Sequence, residues 1–409
     1  MERKSRTTKG IIGAAALFVI ASALAAGAAH RKTASQLQPQ AAAKPQPQAA
    51  AKPQPTAQPQ PTAQPQPAAQ PKPHVDVVFA LDTTGSMGGL IQGAKEKIWS
   101  IANHIASGQP TPELRVGLVA YRDRGDAYVT KVYDLTTDLD TVYEHLMSFR
   151  AAGGGDEPEH VNKALYDAVH RMRWSQDAMK VIFLVGDAPP HMDYDDGYDY
   201  HKIAKEAATR EIVINTIRCG NAPETGLVWN EIARAAHGSF ASIDQSGGVL
   251  AIRTPMDARL AELSGKLAAT SIIYGGEDAR RRVAHKMAVA AEAPAPAAAE
   301  RGAYYSKTGG SFDESDALEG LSSGRLPVES LDASKMPAEM RPLSGPERKA
   351  YVEKKRAERE EVSKEISELS KKRDAYVKDA AKKAKHEDGF DDTVNKAIER
   401  QAKKYHIAY

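Results

Sequence analysis

The chain has 409 residues, enough for two or three domains at about 150 residues each. Its charge is unevenly spread: residues 1–73 carry 9 basic and 1 acidic side chain, residues 74–247 carry 16 and 25, and residues 248–409 carry 30 and 27. A net −9 over the central segment argues against nucleic acid as a partner, and a lone cysteine, Cys219, excludes internal disulfides and cysteine-rich zinc sites.

The N-terminus reads as an address. Arg3, Lys4, Arg6 and Lys9 precede an uncharged apolar run at 11–29, and Ala26-Gly27-Ala28 offers a small-x-small cleavage pattern. A cleaved signal is the favoured expectation. The alternative is a retained membrane anchor, since nineteen apolar residues roughly span a ~30 Å hydrocarbon core. Either reading predicts export to the periplasm, cell envelope or exterior. Residues 30–73 are rich in Pro, Gln and Ala and have no apolar face to bury, so a disordered, extended stalk is expected there.

From 74 to 247 the pattern alternates between strands and helices. Val75–Leu81, Arg115–Tyr121, Lys180–Gly186 and Ile212–Arg218 are apolar runs suited to strands buried on both faces, Tyr128–Leu135 to an edge strand and Ser239–Ile243 to a last one. Helices are expected at Gly88–Ala106, from Asp138 to about Phe149, from Pro158 to about Arg173, at Lys202–Arg210 and at Glu224–His237. This order predicts an α/β fold: a doubly wound, mostly parallel sheet with helices on both faces. Ligands in such folds sit beyond the carboxyl ends of the strands.

Three loops meet that description. Asp82-Thr83-Thr84-Gly85-Ser86 follows the first strand with one carboxylate and, on Thr84 and Ser86, two hydroxyls that suit a hard cation. A helix cap would account for one hydroxyl but not for the Asp. Asp187 directly follows another buried strand. The segment Gly153–Glu159 adds Asp156, Glu157 and Glu159, of which a helix dipole explains one or two.

Taken together, D-x-T-x-S, the acidic D-x-P-E loop and the later G-D loop resemble the metal-ion-dependent adhesion site of a von Willebrand factor type A domain. The resemblance covers residues 74–247. It implies a bound Mg²⁺, or Mn²⁺ or Ca²⁺, held by Asp82, Thr84, Ser86 and Asp187 and completed by a ligand's acidic side chain. The family's second loop usually supplies a Thr, which this chain lacks. Its D-x-P-E segment is similar to that of integrin beta subunits, which implies Glu159 as the metal ligand with Asp156 as fallback. The flanking cation site after the Ser needs acids where this chain has Gly88 and Gly89. The wider pattern Y-R-D-R-G-D, G-D-A-P-P-H-M-D-Y and I-N-T-I-R-C-G resembles exported or kinase-linked bacterial and protist type A domains, yet the remaining chain has no phosphate loop or paired catalytic motifs.

Other signals are weaker. GGLIQGAK at Gly88–Lys95 lacks the G-K-[ST] ending of a phosphate loop. Arg124-Gly125-Asp126 falls where a turn wants Gly and Asp anyway. The acidic, Tyr-rich His191–His201 is expected as a rim beside the metal. Ser86 has no evident base, so no hydrolase is expected, and Cys219 reads as a small buried hydrophobe.

After 248 an amphipathic helix is expected at Pro255–Ile273, within a helix-and-linker segment 248–300 whose Ala/Pro-rich part is 288–300. Weak structure is expected over 301–345. A charged helical region follows over 346–409, with Val362, Ile366, Leu369, Tyr376 and Ala380 in near-heptad rhythm. Two readings stand for it: a coiled-coil-like surface for self-association, or packing on its own chain. The function expected from all this is non-enzymatic. It is a cation-dependent protein-binding module of the envelope or exterior whose partner is a protein with an exposed acidic side chain. The alternative is an assembly factor whose metal only stabilises the fold.

Overall fold

The computed structural model describes residues 72–155, 157–248, 252–309, 311–384 and 389–409. All of them lie within one compact unit, Ala68–Tyr409. The expected signal or anchor and most of the Pro-rich stalk lie outside the described residues.

The sheet has six strands: β1 (His74–Asp82), β2 (Glu113–Tyr121), β3 (Thr130–Thr136), β4 (Ala178–Gly186), β5 (Ile212–Cys219) and β6 (Phe240–Ile243). Their order is β3-β2-β1-β4-β5-β6. All neighbours are parallel except β3, an antiparallel edge on β2. The expected doubly wound, mostly parallel sheet is therefore what forms. Register positions the site: Asp82 pairs with Tyr121 and Leu81 with Val185, which brings Asp82 level with Gly186 and one residue from Asp187.

The side-chain alternation of β1 divides the core. Val75, Val77, Phe79 and Leu81 face α1 (Gly88–Ile105) and α2 (Leu139–Ser148), while Val78 and Ala80 face α3 (Val161–His170), α4 (Tyr200–Thr209) and α5 (Pro223–Ala235). Asp138 caps α2 as expected, its Oδ1 accepting the Thr141 N–H. The helix expected from Pro158 starts only at Val161. The backbone of Glu159 is engaged instead with the next loop, its N–H donating to Pro189 O and its C=O accepting from His191 N–H.

The C-terminal residues complete the same core. α6 (Asp257–Ala268), α7 (Glu277–Ala291), α8 (Ala295–Thr308), the short α9 (Leu318–Ser322), the 40-residue α10 (Gly345–Ala384) and α11 (Phe390–Ala402) follow in order. Leu260, Leu263, Tyr304, Tyr305, Ile366, Phe390 and Val394 join the cluster that holds Phe79 and Trp99. The stretch 288–300, expected as a linker, is instead the end of α7 and the start of α8. Alanine favours helix and Pro296 falls in the first turn, where no backbone donor is needed. Segment 301–345 continues α8 and then builds a small core of its own around Ile272, Leu318, Met336 and Met340.

Ion pairs fasten this region to the sheet domain. Arg301 donates to both Asp140 oxygens at 2.6 Å, and Lys286 is enclosed between Asp138 and Asp313. On α10 Ile366 is buried on the chain's own helices, Arg373 pairs with Asp257 and Glu300, and Tyr376 stays exposed. The near-heptad stripe therefore packs intramolecularly up to Arg373. Among the described residues no helix is long and apolar enough to cross a membrane.

Candidate metal centre and its rim

Asp82 ends β1 and is wholly buried. Its Oδ1 accepts the Thr84 N–H at 2.8 Å and the Thr84 hydroxyl at 2.6 Å, because the loop folds back over the strand end. Its Oδ2 is buried with no partner. Thr84 Oγ1 lies 3.4 Å from Ser86 Oγ, which is carried on the turn Gly85–Met87 that opens α1. The first loop thus offers one carboxylate oxygen and two hydroxyls on one side of the sheet.

Glu159 arrives from the loop before α3. It is 3 % exposed and its Oε2 has no partner. Gly154, at φ 73°, allows this approach: a Cβ there would stand 3.1 Å from Thr84 Cβ and 3.2 Å from Glu159 Oε1. Only a residue without Cβ fits between the two candidate ligands at that backbone angle. Backbone bonds from Gly85 N–H to Gly153 O and from Ala152 N–H to Thr83 O seat the loop on the first one.

Asp187 is half-buried beside Asp82, and Gly186 explains how close the strands come. A Cβ on Gly186 would lie 3.0 Å from Asp82 Cβ and 2.4 Å from Tyr121 Oη. The Asp187 carboxylate accepts Gln245 Nε2–H at 2.7 Å. Asp82, Thr84, Ser86, Glu159 and Asp187 are thus gathered at the carboxyl ends of β1 and β4, whereas Asp156 lies outside the described residues. Among the described residues no three His, Cys, Asp or Glu side chains are drawn into a formed metal cluster.

The electrostatics follow from that crowding. Burial pushes the Asp82 carboxyl up to about 7, against the Thr84 hydrogen bonds that favour its charged form. Burial, reinforced by Asp82, Asp123, Asp126 and Asp187, pushes Glu159 up to about 9. Two buried carboxyl groups with one unpartnered oxygen each are costly unless protonated or cation-bound. With two hydroxyls alongside, this donor set fits a hard divalent cation.

The rim expected from His191–His201 is joined by the loop after β2, which the sequence reading did not bring to it. Tyr194 donates to Asp123 at 2.6 Å and stacks on His191 at 4.1 Å. Arg124 lies over the Tyr194 ring and reaches Asp196 at 2.5 Å, and Asp126 accepts the Gly154 N–H. The Arg124-Gly125-Asp126 tripeptide is thus used within the fold. His191, expected on an open rim, is itself buried, while Met192 and Asp193 beside it are exposed. The signal that pointed here was the Y-R-D-R-G-D run at the end of β2. Gln245 carried no signal at all.

The lookalikes resolve plainly. Lys95 of the phosphate-loop-like segment sits inside α1 and donates to Phe149 O at 2.8 Å. Cys219 is buried, and burial pushes its thiol well up.

Residues 76–254 match the family model described as von Willebrand factor A domain. Domains of this family are generally protein-interaction modules, some of them with a metal site. Two curated relatives are similar to part of the chain: the alpha-protein kinase vwkA of Dictyostelium discoideum, 28 % identical over 132 residues, and the von Willebrand factor A domain-containing protein 7 of Homo sapiens, 36 % identical over 115 residues. The matches cover 32 % and 27 % of this chain but only 20 % and 12 % of those proteins. Among solved structures, proximal thread matrix protein 1 from the mussel byssus, with a zinc-occupied metal-ion-dependent adhesion motif, is 15 % identical, covers 42 % of each chain and has a TM-score of 0.34.

Proposed function

We propose that this protein is an exported binding module that engages a protein partner through a divalent cation, Mg²⁺ in the first instance and Mn²⁺ or Ca²⁺ as alternatives. Asp82, Thr84, Ser86, Glu159 and Asp187 would hold the ion, and a carboxylate on the partner would complete its coordination. The observation that carries this reading is the pair of unpartnered buried oxygens, Asp82 Oδ2 and Glu159 Oε2, carried on separate loops that approach each other across Gly154. A bound cation supplies an open electrophilic position for that carboxylate. The protein's own residues set the position: Thr84 and Gly154 orient the two carboxyl groups, and Arg122 braces the loops by donating to Thr83 O and Arg150 O.

On this reading the site binds rather than catalyses. Localisation in the periplasm, envelope or exterior is part of the proposal and rests on residues 1–29. A stabilising cation is the second reading, favoured by the deep burial of Asp82. Calorimetric titration of the chelator-treated protein with Mg²⁺ and Mn²⁺ tests the centre: one site is expected in the wild type and none in Asp82→Ala with an unchanged circular dichroism spectrum. Binding of wild-type strength in that variant would refute the assignment.

A further inference from the structure

The charge around the centre constrains its partner more than the centre does. Asp82, Glu159 and Asp187 carry three negative charges when ionised. A divalent cation together with the buried Arg122 guanidinium balances them. The rim is different. Asp123, Asp126, Glu157, Asp193, Asp195 and Asp196 stand against a single guanidinium, Arg124, which leaves a net −5.

These acids belong to the same surface. Glu157 is two residues before Glu159. The Asp193 carboxylate accepts from His191 Nδ1 at 2.7 Å, and the backbone N–H of that histidine donates to Glu159 O. Asp126 holds the Gly154 N–H, and Gly154 lies between Thr84 and Glu159. Glu157, Asp193 and Asp195 are exposed. Of the other cations nearby, Lys95 and Arg150 donate to backbone carbonyls and Lys163 pairs with Asp167 on α3.

An isolated carboxylate approaching such a face is repelled over a screening distance of ~8 Å at physiological salt, and meets the cation only at contact. A carboxylate set among cations is steered in. We infer that the partner presents its metal-binding Asp or Glu within a Lys/Arg-rich polypeptide surface, the basic groups lying on Glu157, Asp193 and Asp195 while the carboxylate reaches the cation. Anionic polymers are excluded by the same rim. The inference rests on the proposed cation-dependent reading and specifies its partner. What makes the cluster a site is the pair of buried, unpartnered oxygens at its centre, Asp82 Oδ2 and Glu159 Oε2.

Three labelled nonapeptides and the full chain test it by fluorescence anisotropy in Mg²⁺ and in EDTA. One peptide has a central Glu flanked by four Lys, one has the same Glu flanked by four Glu, and one has four Lys around a central Gln. At roughly 50 mM salt the Lys-flanked Glu peptide is expected to bind at least about tenfold more tightly than the Glu-flanked one, with the ratio shrinking at roughly 300 mM. The triple variant Glu157→Gln, Asp193→Asn, Asp195→Asn, checked for an unchanged thermal midpoint, lowers the rim from −5 to −2 and should clearly narrow the gap between the two affinities. Equal affinity of the first two peptides, or a preference that the triple variant leaves undiminished, overturns the inference and leaves the metal reading standing. Equal binding of the first and third peptides in Mg²⁺, or no effect of EDTA, overturns the metal reading itself. Absence of binding by all three overturns both.

Discussion

Metal binding at this centre should release protons, and the number can be worked from the two raised carboxyl groups. With Asp82 near 7 and Glu159 near 9, the metal-free site at pH 7 holds about 0.5 proton on Asp82 and nearly one on Glu159, about 1.5 in all. At pH 9 the same arithmetic leaves about 0.5, almost all on Glu159. Ligation to a cation needs both groups ionised, so affinity for Mg²⁺ should climb by roughly ten- to a hundredfold per pH unit near neutrality and more gently above pH 9. The perturbation is a titration with Mg²⁺ at pH 7 and pH 9. The assay is calorimetry in pairs of buffers with different ionisation enthalpies, whose difference in apparent heat counts protons. Release of no protons at pH 7 would mean that both carboxyl groups are already ionised in the metal-free protein, and the argument from burial would fail.

The same groups contribute to the pH dependence of the metal-free fold. Their folded values lie above the ordinary carboxylate range, so their contribution is fully present at low pH and lost as pH rises; the thermal midpoint in EDTA should fall between pH 5 and 9 and recover with Mg²⁺. Glu159→Gln should weaken Mg²⁺ binding more than Asp156→Asn, and the opposite ranking by calorimetry would transfer the role to Asp156. Arg301→Met leaves Asp140 charged and buried, so a loss of about 3–5 kcal/mol is expected in chemical denaturation. Pairing that change with Asp140→Leu should restore most of it, and a double variant as unstable as the single one would refute the ion-pair argument. Gly186→Ala drives a Cβ to 2.4 Å from Tyr121 Oη, so about 1–3 kcal/mol should be lost together with metal affinity; unchanged denaturation would contradict the close strand approach.

Much of the fold was legible because its signals are local. Val75–Leu81 and Lys180–Gly186 read as strands from continuous apolar runs, and Asp138 read as a cap from one side chain and the helix after it. The start of α3 was not legible at Pro158, since what delays it is the pairing of Glu159 with a loop about 30 residues later. The stretch 288–300 was misleading for a different reason: its alanines look like a linker in isolation and become helix when α6 and α1 offer a surface to cover. Lys286, Arg301 and Arg373 are charged residues that no periodicity would place inside, and their partners Asp138, Asp140 and Asp257 are more than 100 residues away.

At the site, Asp82, Thr84 and Asp187 were legible as oxygen donors directly after buried strands. The bond from Gln245 to Asp187 was not, because β6 brings that glutamine alongside only through the sheet order. The rim built on Asp123, Tyr194 and His191 joins two loops about 70 residues apart, and only the three-dimensional fold shows that they meet.

The most direct test of the account is a crystal of the chain grown or soaked with Mn²⁺ and measured at a wavelength where manganese scatters anomalously. The account predicts one strong anomalous peak bounded by Asp82 Oδ2, Glu159 Oε2, the Thr84 and Ser86 hydroxyls and Asp187, absent in an Asp82→Ala crystal. A map with no peak there under full Mn²⁺ loading, or with its only peak elsewhere on the molecule, would contradict it.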